Sequence, residues 1–163
     1  MFRISRLTDY GIVIMAHLAG RQDDHTHNAR ELADEVQLPV PAVGKILKSL
    51  TRAGLLTSQR GSKGGYSLAR AADEISVVEM ISALEGPVGI TECTIHPGVC
   101  AQESSCQVRD PWHRINGAVR GALEQITLAD LAKPFDPTSP FISLMGMDTG
   151  TADNSKFATK ALE

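Results

Sequence analysis

Residues 28–68 read NARELADEVQLPVPAVGKILKSLTRAGLLTSQRGSKGGYSL, and their punctuation decides the fold. Leu38-Pro39-Val40-Pro41 is a rigid turn, because two prolines lock φ and remove two backbone donors, so no helix runs through it. Ahead of it, Asn28 is an N-cap for a helix from about Asn28 to Gln37 that turns Leu32, Ala33 and Val36 inward. Beyond it, Pro41 suits the first turn of a helix, Val43, Ile46, Leu47 and Leu50 repeat at helical spacing, and Gly54 stops the run. Leu55 to Ser58 and Tyr66 to Leu68 then read as two short strands joined by the glycine-rich tip 59–65. Helix, proline turn, helix and basic hairpin make up a winged helix-turn-helix, in which the second helix enters a major groove and the hairpin reaches along the backbone or into the minor groove.

Working outward, Leu7, Gly11, Ile14, Met15 and Leu18 form the stripe of a helix packed on one side, and Ile75, Val78, Ile81 and Leu84 form another. Gly86, Pro87 and Gly89 break the second stripe and open a loop that lasts to residue 107. Asp110-Pro111 caps and starts a long helix whose Trp112, Ile115, Val119, Ala122 and Ile126 are spaced 3, 4, 3 and 4, a coiled-coil seam suited to pairing with a second copy. The competing reading is that this seam packs on its own domain. Thr127 to Leu131 adds a short helix. The expected architecture is mainly α with a small β-hairpin wing: a winged helix-turn-helix over residues 1–85, a cysteine loop over 86–107, a dimerisation helix over 108–133 and, on composition, a disordered tail over 134–163.

Charge sharpens the reading. Sixteen Lys and Arg against 19 Asp and Glu exclude a globally basic nucleic-acid binder but not a local patch. Between Lys45 and Lys63 there are five Lys or Arg and no acid. Lys45, Lys48, Ser49 and Arg52 lie off the apolar stripe, while Arg60, Ser62, Lys63 and Gly64 occupy the wing tip, where glycines let backbone approach phosphates. A solvated cationic surface is the plain alternative. No run approaches the roughly 18 apolar residues of a membrane span, and no charged-then-apolar leader is evident, so a cytoplasmic protein without a membrane partner is expected.

All three cysteines, Cys93, Cys100 and Cys106, fall in the loop with spacing C-x6-C-x5-C. Structural zinc usually takes two pairs of ligands at short spacing, whereas three widely spaced thiols can wrap one larger object such as an iron–sulfur cluster. The N-terminal end of the following helix favours anionic sulfur nearby. A fourth ligand could be His96, His113 or a carboxylate from elsewhere. Unligated thiols acting as a redox sensor are the alternative.

The opening Arg3-Ile4-Ser5-Arg6-Leu7-Thr8-Asp9-Tyr10, the wing Arg60-Gly61-Ser62-Lys63-Gly64-Gly65-Tyr66-Ser67-Leu68, the helix 75–81 and the three cysteines together resemble the Rrf-two family of winged-helix regulators, which includes the iron–sulfur sensors IscR and NsrR. The resemblance covers about residues 1–134 and looks closest to regulators of the SUF iron–sulfur assembly system, on Leu-Thr-Asp-Tyr and on Cys106-Gln-Val-Arg-Asp-Pro-Trp. It implies a homodimer on palindromic promoter DNA, with Arg60 as the minor-groove arginine and Cys93, Cys100 and Cys106 as cluster ligands. One branch takes a histidine three residues after the last cysteine, where this chain has Arg109; another takes an aspartate from the partner subunit, which Asp9 matches. The implied function is a cluster-dependent repressor of iron–sulfur assembly genes, with a two-iron cluster favoured over a four-iron one. The runner-up is a regulator of the same fold that senses through bare thiols or carries zinc.

Two further classes compete. Cys106 with His113 could suggest a nucleophile and base, but no oxyanion donors, phosphate loop or H-E-x-x-H accompanies them, so no enzyme is expected. A protein-interaction adaptor could use the same fold without DNA; salt-dependent duplex binding separates it from a regulator.

Overall fold

The computed structural model describes residues 3–21, 26–61 and 64–133. Helices α1 (Arg6–Gly20), α2 (Ala29–Glu35) and α3 (Val40–Arg52) precede a two-stranded antiparallel hairpin, β1 (Leu56–Ser58) and β2 (Tyr66–Leu68). Then follow α4 (Val77–Glu85), the short α5 (Glu92–Ile95), the long α6 (Arg109–Gln125) and α7 (Leu128–Ala132). The mainly helical class with a hairpin wing is as expected. The tail read as disordered lies outside the described residues.

The apolar stripes read from the sequence are the core. Ile14 and Met15 of α1, Leu32 of α2, Val43, Ile46, Leu47 and Leu50 of α3, Leu55, Ile75, Met80 and Leu128 are essentially solvent-free. This core is aliphatic, as a chain with so few aromatic residues requires. Capping chemistry sets several boundaries: Ser5 accepts from Thr8 N–H, while Asn28 with Glu31 and Ser76 with Glu79 form reciprocal capping boxes.

Three boundaries differ from expectation. α2 stops at Glu35, because Gln37 takes a left-handed φ of +54° and has already turned the chain before the prolines act. α6 starts at Arg109 behind Val108, which makes no side-chain cap; Asp110 sits inside the first turn, where its charge suits the helix dipole. Ile126 lies beyond α6 in extended conformation, so it does not continue the seam.

The wing is pinned from behind. His27 pairs with Tyr66 through His27 N–H to Tyr66 C=O at 3.1 Å and Tyr66 N–H to His27 C=O at 2.8 Å, extending the hairpin by one bridge. Gly65 makes that approach possible: a Cβ there would stand 2.6 Å from His27 backbone atoms.

The C-terminal elements fold back onto the front of α4. Val77 N–H donates to Ile126 C=O at 2.9 Å and Leu128 N–H to Ile75 C=O at 2.8 Å, and α7 lies against α1 with Leu128 fully buried. Thr127 and Asp130 form the cap of α7, and Lys133 Nζ reaches Asp130 Oδ1 at 2.8 Å. Lys133, then the Thr127 N–H and hydroxyl, hold the Asp130 carboxyl down to about 2 against an ordinary 3.8. A depressed folded-state pKa stabilises above the unfolded value and is lost as pH falls through the folded one. The α7 cap should therefore contribute in full above about pH 4 and fade toward pH 2. Acid unfolding followed by circular dichroism should show Asp130→Asn less stable than wild type at neutral pH, with the difference closing below pH 3.

Candidate DNA-reading surface and cysteine segment

On α3 the core stripe leaves the opposite side free. Lys45, Lys48 and Arg52 are exposed and Ser49 is partly so, while Val43, Ile46, Leu47 and Leu50 are buried on the other side. Offsets of three and four residues bring the three cations onto one face. Arg60 is exposed at the end of the hairpin, and Gly64 closes its turn with an N–H to Gly61 C=O bond at 3.0 Å. Ser62 and Lys63 lie outside the described residues. On the wing, Thr57 and Ser67 hydroxyls meet across the two strands at 2.8 Å. Helix and wing thus carry the basic, acid-free stretch. A second surface feature is the outer side of α6, where Ile115 is 46 % exposed and Val108, just ahead, is exposed as well. Trp112, Val119 and Ala122 are half-buried on that helix.

The segment between α4 and α6 is more structured than a plain loop. It contains α5, with Cys93, and a 3-10 turn over Glu103–Ser105 that separates Cys100 from Cys106. Val88 is buried in the core, and Ile90 N–H donates to the side-chain oxygen of buried Asn116 at 3.1 Å, which ties the start of the segment to α6. Glu103 organises its far end: its carboxylate accepts Gly98 N–H at 2.6 Å and pairs with Arg109 at 3.0 Å, while its own N–H donates to Cys100 C=O at 3.0 Å. Gly98, Cys100, Glu103, Ser104 and Arg109 line an open depression of about 340 Å³. The position taken by histidine in one branch of the resemblance is thus occupied here by a cation already paired.

All three cysteines are free thiols. Cys93 is 7 % exposed with its sulfur 3.3 Å from the Thr91 hydroxyl; Cys100 and Cys106 are half-buried. Among the described residues, no three His, Cys, Asp or Glu side chains are gathered in a way that could hold a metal ion. Asp9 is exposed in the first turn of α1, and His96 and His113 are exposed on the segment and on α6. The donor set has the chemistry for a sulfur-ligated group, but its members share a segment rather than a cage. Sequence reading missed Glu103 and Asn116, although an acid midway between two cysteines and one asparagine in an otherwise mixed helix were visible signals. In reduced, metal-free protein, iodoacetamide should modify Cys100 and Cys106 several-fold faster than Cys93, as read by peptide mass spectrometry; equal rates would contradict the burial of Cys93.

Comparison with known proteins places this geometry. The family model described as "Rrf2: Iron-dependent Transcriptional regulator" matches residues 4–134. CymR of Bacillus subtilis is 33 % identical over 134 residues, spanning 82 % of this chain and 92 % of that protein. Its solved structure, titled as that of the global cysteine regulator, superposes with a TM-score of 0.65, covering 83 % of this chain and 100 % of that one at 32 % identity. NsrR of Oceanobacillus iheyensis is 28 % identical over 149 residues, 89 % of this chain and 97 % of that protein. The structure of T. potens IscR gives a TM-score of 0.60 at 27 % identity, covering 80 % and 85 %. CymR and NsrR are named as transcriptional regulators, so the expectation of a regulator rather than an enzyme holds. No helix among the described residues is long and apolar enough to cross a membrane. A helix-turn-helix with a pinned wing and a basic reading face is what such a regulator needs to bind DNA, and the chain belongs to the Rrf2 family of winged-helix transcriptional regulators.

Proposed function

We propose that this chain is an iron–sulfur-cluster-dependent repressor of iron–sulfur assembly genes, acting as a homodimer on palindromic promoter DNA. The observation that carries the reading is that all three cysteines lie on the one segment that joins α4 to α6, anchored at its start to Asn116 and at its end to Arg109. Cys93, Cys100 and Cys106 would hold a two-iron cluster, with Asp9 of a second copy as the fourth ligand. When bound, the cluster supplies a redox- and iron-sensitive cross-link of the segment. The chain's own residues do the rest. The α6 surface around Ile115 pairs two copies, which sets the distance between two α3 helices. Lys45, Lys48, Ser49 and Arg52 enter the groove, and Arg60, Ser62, Lys63 and Gly64 follow the backbone or minor groove. In functional terms residues 1–85 read DNA, 86–107 sense, and 108–133 dimerise.

A second reading has its own support. Among the described residues no three ligating side chains are gathered for a metal, and the relatives include CymR, of which a Staphylococcus aureus oxidized form has been solved, at 32 % identity and a TM-score of 0.60. On that reading the half-buried Cys100 and Cys106 respond to oxidants without a cluster.

Protein purified without oxygen should be coloured, contain iron and sulfide in near-equal amounts, and lose both on substitution of Cys93, Cys100 or Cys106 by Ala. Colourless protein with one zinc per chain would overturn the cluster reading; colourless, metal-free protein that releases DNA on thiol oxidation would establish the second one. For the reading face, use an operator that wild-type protein selects from random duplexes. Lys48→Ala should weaken binding to all sequences and lower the salt slope by about 1, while Arg60→Ala should cost about 1–3 kcal/mol on the selected site. Unchanged affinities would remove α3 and the wing from the interface.

A further inference from the structure

The last turn of α4 is fastened to the first turn of α1 at the point where the chain enters the cysteine segment. Glu85 Oε1 accepts the Ser5 N–H at 2.6 Å, across 80 residues of sequence. Thr8, fully buried in the same turn, has its hydroxyl 3.3 Å from Ser5 Oγ. Thr8 first, and then the Ser5 N–H, hold the Glu85 carboxyl below the ordinary glutamate range, as donors to a charged acceptor do.

One turn further along α1, three helices converge. A Cβ on Gly11 would stand 3.5 Å from Ile46 Cγ2 of α3 and would overlap the Leu84 side chain of α4. Ile46 is solvent-free and adjoins Lys45, the first cation of the reading face. On the other side of Glu85, Gly86 takes a φ of +95°, and the chain then runs through buried Val88 to the Ile90–Asn116 bond on α6. Contacts this close transmit a displacement, because a packed interior has no free volume to absorb it.

We propose that Glu85 is the positioning residue that passes the state of the cysteine segment to α3, through its bond to the Ser5 N–H at the head of α1 and the junction at Gly11. The inference rests on the cysteine segment being the sensor, whether it carries a cluster or bare thiols. A segment that tightens or relaxes moves the end of α4. With Glu85 bonded, α1 moves with it and carries Ile46, and hence the angle at which Lys45, Lys48 and Arg52 meet the groove. With the carboxylate removed, α4 can shift without its neighbour, and the two sites lose their shared free energy.

The test is the ratio of operator affinities between protein isolated without oxygen and the same protein after oxidation and chelation. It is measured for the wild type, Glu85→Ala, Glu85→Gln and Thr8→Val, with thermal unfolding as the control for folding. The wild-type ratio should be about tenfold or more, the size that a modest coupling gives. Glu85→Ala should bring it to within about twofold of unity while one state keeps near-wild-type affinity. Glu85→Gln, whose amide oxygen still accepts the Ser5 N–H, should restore most of the ratio. Thr8→Val keeps the buried shape and removes the hydroxyl that meets Ser5 and favours the Glu85 carboxylate, so it should lower the ratio and decides the matter if Glu85→Ala fails to fold. Folded variants that all keep the wild-type ratio would overturn the role of Glu85 alone. A wild-type ratio of one would instead sink the sensor reading, and this inference with it.

Discussion

Two backbone hydrogen bonds close the molecule on itself: Val77 N–H to Ile126 C=O, and Leu128 N–H to Ile75 C=O. They bring the residue after α6 to the first residue of α4, so the two helices lie against each other in opposite directions. Everything between them is thereby placed at the far end of the pair. The cysteine segment runs from where α4 finishes to where α6 begins, and it starts at Glu85, which is bonded to Ser5 at the head of α1. The same closure seats α7 on α1 and turns Leu128 into core, which ties the C-terminal elements to the helix-turn-helix. The cysteine segment and the helix-turn-helix are separate in sequence but share one packed body, joined at the Glu85–Ser5 bond.

Much of this was legible beforehand. Apolar repeats identified α1, α3 and α4, two prolines marked the break between α2 and α3, and glycines marked the wing, because each of these residue types restricts the backbone for a local reason. What escaped depended on partners far along the chain. The Glu85–Ser5 bond spans 80 residues and has no periodic signal. Ile126 continued the 3-and-4 spacing of α6, yet Thr127 caps the next helix and pulls Ile126 out to pair with Val77. Gln37 ended α2 in a conformation that favours glycine, which the residue type does not announce. The cysteine spacing showed which atoms share a segment; it carried no information on whether they converge, because convergence depends on what they hold.

Charge is partitioned along the fold in the same way. Outside residues 45–63 the chain has 11 Lys and Arg against 19 Asp and Glu, a net of −8, while the stretch from 45 to 63 on α3 and the wing carries five cations without a single acid. A polyanion is then attracted to one face and weakly repelled by the rest, which orients the encounter before any groove contact forms. The His27–Tyr66 bridge adds rigidity where that face needs it, because a two-stranded hairpin is marginal alone and the close approach allowed by Gly65 supplies a third pairing partner.

Trp112 is the only tryptophan in the chain, and it sits half-buried in the first turn of α6, six residues after Cys106. The helix-turn-helix and its wing contribute tyrosine alone to the ultraviolet fluorescence. The protein therefore carries its own optical probe, confined to the junction between thiols and helix. The colour and intensity of indole emission report on that neighbourhood with no label attached and no second indole elsewhere in the chain.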